Sequence, residues 1–120
     1  MFVNVDKNGI LSVFKSVNRI EEIVWIEATK KQEKIQLTKF PFRIGKKEDA
    51  NYRICNSAVS RKHVDILKEQ GEYFLVDLGS TNGTYIDGKK LQPGVKEKIC
   101  NGSVVRFADE EYKFYISQGE

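Results

Sequence analysis

The sequence predicts an all-β domain, a sandwich or barrel of many short strands, from three observations. From Ile23 onward, apolar residues recur in short, mostly alternating runs at regular intervals. Clusters of Gly, Asn, Asp, Gln and Lys separate the runs and read as turns. The chain has 120 residues, 40% of them apolar and 11% aromatic, enough for one domain with its own core.

Taken in order, Val24-Trp25-Ile26-Glu27-Ala28 and Lys34-Ile35-Gln36-Leu37-Thr38 are two strands joined by the polar turn Lys30-Lys31-Gln32. Phe40, Phe42 and Ile44 alternate with Pro41 and Arg43. Pro41 has no N–H, so this strand is expected to be irregular or at an edge there. Val64, Ile66 and Tyr73-Phe74-Leu75-Val76 form a hairpin around Glu69-Gln70-Gly71-Glu72. Tyr85-Ile86 is short and ends at the turn signal Asp87-Gly88. Val104-Val105-Arg106-Phe107 and Tyr112-Lys113-Phe114-Tyr115-Ile116 close the chain as a hairpin across Ala108-Asp109-Glu110. Residues 1–22 carry two competing signals. Asp6-Lys7-Asn8-Gly9 suits a hairpin turn, while Ile10, Phe14, Val17 and Glu21 follow a helical spacing. This segment reads as an appendage packed on the surface of a domain spanning 23–117.

Composition excludes several classes. No apolar run approaches the roughly 18 residues that span a bilayer. The first six residues lack the basic start and apolar stretch of a signal peptide. A cytoplasmic setting and no membrane insertion by this segment are expected. Cys55 and Cys100 sit beside Ile54 and Ile99 and read as two buried thiols, with a disulfide as the alternative. One His and no Cys-x-x-Cys argue against zinc, and no cofactor is expected. No Walker loop, dinucleotide fingerprint or nucleophile elbow is present, so an enzyme is not expected. A nucleic-acid-binding β module is a further reading, but Phe74, Phe107 and Phe114 alternate toward the core rather than forming a stacking platform.

The net charge is only +3, yet it is unevenly placed. Arg43, Lys46, Lys47, Arg53, Arg61 and Lys62 stand against Glu48 and Asp49, a net of +4 between residues 43 and 63 and −1 elsewhere. This positive segment carries two of three polar blocks: Arg43-Ile44-Gly45-Lys46, Ser60-Arg61-Lys62-His63 and, further on, Leu78-Gly79-Ser80-Thr81-Asn82-Gly83-Thr84. Loops of this kind, at one end of a β-sandwich, offer donors and fixed cations to an anion with several acceptor oxygens.

The three blocks, in this order and at these spacings, closely resemble the forkhead-associated (FHA) domain. That family has a Gly-Arg step after its third strand, Ser-x-x-His at the start of its fifth and a Ser/Thr-Asn-Gly-Thr turn further on. The resemblance covers about residues 23 to 117. It implies an eleven-stranded, mostly antiparallel β-sandwich of the FHA/SMAD type. It also implies a phosphopeptide-binding module that recognises phosphothreonine in a partner protein, the product of a Ser/Thr kinase, in signalling or scaffolding. By resemblance, Lys46 takes the phosphate-contacting position, where the family most often has Arg. Ser60 matches the phosphate-binding serine, and Arg61 a neighbour that contacts phosphate or peptide. Thr81 matches a further residue at the phosphothreonine pocket, its hydroxyl and backbone N–H adding donors. Asn82 matches the residue that bonds the peptide main chain. Gly45, His63 and Gly83 support the loops, His63 as a brace.

A phosphothreonine carries about −1.5 to −2 charges and three acceptor oxygens. Charge-assisted hydrogen bonds to it are each worth about 1.5–3 kcal/mol. Read alone, Ser60 also suits a turn cap, Asn82-Gly83 a tight turn, and Lys46 and Lys47 solvated surface charges. Some family members bind partners without phosphate, so a phosphate-independent interaction module is the nearest alternative. The loop Asn56-Ser57-Ala58-Val59, small and uncharged, suggests weak or apolar selectivity beyond the phosphothreonine.

Overall fold

The computed structural model describes residues 22–118. The hairpin and helical expectations for residues 1–21 lie outside these. Eleven strands are present among the described residues. They are β1 Glu22–Ala28, β2 Lys34–Gln36, β3 Phe42–Gly45, β4 Tyr52–Arg53, β5 Val64–Glu69, β6 Glu72–Asp77, β7 Thr84–Ile86, β8 Lys89–Lys90, β9 Glu97–Ile99, β10 Val104–Phe107 and β11 Glu110–Gln118. No helix among the described residues is long and apolar enough to cross a membrane.

The strands form two sheets, of order β9-β6-β5-β3-β4 and β2-β1-β11-β10-β7-β8. Within these ladders only β3–β4 is parallel. Alternation explains which faces meet. Val24 and Ile26 of β1, Val105 and Phe107 of β10, and Tyr112 and Phe114 of β11 point inward from one sheet. Phe42 and Ile44 of β3, Val64 and Ile66 of β5, and Tyr73 and Leu75 of β6 meet them from the other. Each of these side chains is at most 4% exposed, so the space between the sheets is a continuous apolar core.

Several expectations are corrected. Phe74 is half-buried on the outer face, because the same alternation that buries Tyr73 and Leu75 turns it out. The Lys96 ammonium lies over its ring, 4.9 Å from the centroid. Of the two outcomes expected at Pro41, the chain is irregular there and not at an edge: β3 starts one residue later and runs between β5 and β4, so Pro41 never enters the ladder. The second strand stops at Gln36, short of Thr38. Cys55 and Cys100 are free and exposed rather than buried. Ile54 and Ile99 take the inward positions, and the next residue faces out.

Candidate functional site

Three loops meet at one end of the sandwich: 46–51 between β3 and β4, 54–63 between β4 and β5, and 78–83 between β6 and β7. Backbone bonds tie the first loop to the second. Lys46 N–H donates to Ser60 O at 3.0 Å, Lys47 N–H to Arg61 O at 3.1 Å, and His63 N–H to Ile44 O at 3.1 Å. This contact leaves no room for a side chain at Gly45. A Cβ there would sit 2.1 Å from the Arg61 carbonyl oxygen. Glycine is therefore required by close approach.

His63 joins the second loop to the third. It is fully buried. Ser60 N–H donates to its Nδ1 at 3.1 Å. That bond makes Nδ1 an acceptor, so Nε2 carries the proton and donates to Gly83 O at 2.9 Å. Burial lowers the imidazole pKa, and the Gly83 bond and the Asp77 charge only partly oppose this. The ring is neutral and fixed in one tautomer. Gly83 presents that carbonyl from φ 89°, a conformation that L side chains rarely adopt.

Asp77, at the end of β6, shapes the third loop. Its carboxylate accepts from Gly79 N–H at 2.9 Å, Ser80 N–H at 3.0 Å, Ser80 Oγ at 2.6 Å and Thr84 Oγ1 at 2.6 Å. Burial pushes its pKa up, but the bonds from Ser80, Thr84 and Gly79 outweigh burial and hold it below the usual value. Ser80 Oγ in turn accepts from Gly83 N–H at 3.0 Å. Asp77 does not stand out in the sequence, since it closes a strand and reads as an ordinary polar end, whereas Thr84 ends the Thr81-Asn82-Gly83-Thr84 turn already singled out. The Asp-Leu-Gly-Ser order at the head of the loop was the one available signal.

The five residues assigned to ligand contact come together. Lys46, Ser60, Arg61, Thr81 and Asn82 all line one open groove of about 340 Å³. Their bonding corrects one detail. The Thr81 N–H is not available to a ligand, because it donates to Ser60 Oγ at 2.9 Å. Ser60 keeps its own hydroxyl proton to donate outward. Asn82 Nδ2 donates to Ala58 O at 2.8 Å, which leaves that amide a second N–H and its Oδ1. Among the described residues, the Lys46 ammonium and Arg61 guanidinium have no hydrogen-bond or ion-pair partner. Arg43 does not contribute to the local field as expected. It grips Asp65, its cross-strand neighbour, through Nε at 2.8 Å and Nη2 at 2.9 Å. The groove thus presents a hydroxyl, an amide, an ammonium and a guanidinium on one wall set. No group of three or more His, Cys, Asp or Glu that could hold a metal occurs among the described residues.

A two-sheet β-sandwich whose inter-strand loops gather cations and donors around a buried His defines a class of domain, and the comparisons agree. The FHA domain family model matches residues 42–108. The chain belongs to this family.

Among curated proteins, the chain is 34% identical over 73 residues to the FHA domain-containing protein FhaB of Mycobacterium tuberculosis, covering 61% of this chain and 46% of that protein. It is 31% identical over 77 residues to the transcriptional regulatory protein EmbR of the same organism, covering 64% of this chain and 19% of EmbR. The matched region is thus about half of FhaB and a smaller part of EmbR. Among solved structures, M. tuberculosis EmbR in complex with a low affinity phosphopeptide superposes with a TM-score of 0.75 at 26% identity, over 82% of this chain and 25% of EmbR. A structure from an analysis of phosphothreonine-dependent FHA domain interactions gives 0.70 at 28% identity, over 78% and 95%.

Proposed function

We propose that this domain binds phosphothreonine in a partner protein, as a recognition module in signalling or scaffolding. One observation carries the reading: Lys46, Ser60, Arg61, Thr81 and Asn82, from three separate loops, line a single groove. An anion there meets donors and unpaired positive charge with no carboxylate in the lining. The phosphopeptide complex of EmbR, at 26% identity, supports the same chemistry here.

Lys46 and Arg61 neutralise the phosphate, Lys46 as a point charge and Arg61 through its planar fork. The Ser60 hydroxyl donates to a phosphate oxygen, and its oxygen holds Thr81 in place. Thr81 contributes its side chain at the phosphothreonine. Asn82 uses its second N–H and Oδ1 on the peptide backbone. Gly45, His63 and Gly83 hold the loops. The FHA unit takes in residues 23–117 together with Glu22 and Gln118, the paired outer ends of β1 and β11, and residues 1–21 are an appendage to it. We read the domain as an interaction module without a catalytic role. Two exposed free thiols suit a reducing, cytoplasmic setting. A Ser/Thr kinase supplies the mark.

Calorimetry with a phosphothreonine peptide and its unphosphorylated twin tests this. Micromolar binding of the first, about −8 kcal/mol, and none of the second is expected. Equal affinity for both would overturn it and leave a phosphate-independent interaction module.

A further inference from the structure

A second open pocket lies against the groove and shares two of its walls. It measures about 470 Å³ and is lined by Lys46, Lys47, Glu48, Asp49, Arg53 and Arg61. Lys46 and Arg61 therefore face both cavities. Four cations stand against two carboxylates in the second pocket, a net of +2. Asp49 is partly engaged, with Lys47 Nζ 3.5 Å from its Oδ2. Arg53 is exposed, and its Nε donates to Lys46 O at 2.9 Å. That bond orients the guanidinium beside the shared wall. Its Nη groups have no partner among the described residues.

Three cations, Lys46, Arg53 and Arg61, thus converge on one cavity with no carboxylate bound to any of them. Such an arrangement is mutually repulsive until an anion enters. The groove accounts for one anionic group. Lys47, Glu48, Asp49 and Arg53 line the second pocket and not the groove, so a phosphate held among Ser60, Thr81 and Asn82 leaves Arg53 without an anion.

We propose that this pocket takes a second anionic side chain of the same ligand. The partner is then a phosphothreonine segment that also carries an acidic or phosphorylated residue close by. Phosphoserine, phosphothreonine, aspartate and glutamate share the required chemistry. The inference rests on the phosphothreonine reading of the groove. An extended peptide advances about 3.3 Å per residue. Two cavities that share walls therefore place the second anion about one to three residues from the phosphothreonine. Of the uncharged loop 56–59, read from sequence as giving weak selectivity, Ser57, Ala58 and Val59 line the groove and none lines this pocket.

Fluorescence anisotropy of the whole chain tests this, with one phosphothreonine peptide flanked by alanines as reference. In two further sets, aspartate or phosphoserine replaces each flanking position in turn, up to three residues either side. A gain of about five- to thirtyfold is expected at one or two neighbouring positions on one side, larger for phosphoserine than for aspartate and reduced at high salt. Arg53→Gln should remove most of the gain, taken as a ratio within that variant so that any change in reference affinity cancels. Asp49→Asn should enlarge it by deleting the competing carboxylate, again taken as a ratio to that variant's own affinity for the reference peptide. If the reference peptide binds and no position gains twofold, this inference fails while the groove reading stands. If the gain survives Arg53→Gln and ignores Asp49→Asn, the second anion binds elsewhere and the inference also fails. If no phosphothreonine peptide binds, the groove reading itself is wrong, and this inference falls with it.

Discussion

Gly45 and the carbonyl of Arg61 are packed so closely that a methyl group on the glycine would sit 2.1 Å from the carbonyl oxygen. Both partners in the collision are backbone, so no side chain can swing away. Gly45→Ala is expected to cost about 1–3 kcal/mol of stability and to weaken phosphopeptide binding as well. Urea unfolding and calorimetry on the same variant check both. An alanine variant as stable as the parent would mean that the two loops separate more easily than the contact implies.

The single histidine gives the domain a pH dependence of known sign. His63 is neutral in the fold with its pKa lowered by burial, whereas in the unfolded chain it titrates near 6.5. The unfolded state therefore binds the proton more readily. The contribution is fully present above about pH 6.5 and declines as pH falls toward the folded value, by at most about 1.4 kcal/mol per pH unit. Thermal melts from pH 7.5 to 5.5 should show this loss. In His63→Gln the slope should flatten, whatever its absolute stability. Parallel slopes would remove His63 as the cause.

Asp77→Ala strips the acceptor from two backbone N–H groups and two hydroxyls in one step. A loss of about 2–3 kcal/mol is expected from the donors left behind. Peptide affinity should fall too, since Asn82 is carried by the loop that Asp77 shapes. Chemical denaturation that finds a change under 0.5 kcal/mol would refute this.

Lys46→Ala should weaken binding of a phosphothreonine peptide by about 1.5–3 kcal/mol, tenfold or more. Lys46→Arg should hold or improve it, because a guanidinium can grip two phosphate oxygens. If Lys46 were a solvated charge, alanine would cost only a few tenths of a kcal/mol and salt would screen most of that. Titrations of the three proteins at two salt concentrations separate the cases.

Phosphothreonine should bind more tightly than phosphoserine in an otherwise identical peptide. One buried methyl is worth on the order of 0.8 kcal/mol, about fourfold. Competition between the two peptides reads this ratio directly, and equal potency would argue that the methyl meets only solvent.

The longer strands and the three loops were legible because they follow local rules. Alternation marked β1, β3, β6, β10 and β11, and Gly, Asn and Ser marked where the chain turns. The short strands β4, β8 and β9 were not seen. Two or three residues such as Lys89–Lys90 carry no alternation, and they are strands only because Tyr85–Ile86 lies beside them. The same limit applies to charge. Arg43 counted toward a basic segment, but Asp65, 22 residues away, claims its guanidinium through the pairing of β3 with β5. The Thr81 N–H looked free because nothing in the local order shows that Ser60 Oγ lies 2.9 Å away. The Cys55 and Cys100 thiols looked buried because an apolar neighbour was taken as a sign of burial, whereas in an extended chain it predicts the opposite face.

The Asp77–Thr84 bond joins the end of a strand in one sheet to the start of a strand in the other. The bond from His63 to Gly83 spans the same gap. The receptor is thus stitched across the seam of the sandwich and cannot slacken unless the seam opens. Such a device has little freedom to adjust its grip in steps. If the groove reads phosphothreonine as proposed, control over whether a complex forms then falls to whatever writes or erases the mark on the partner.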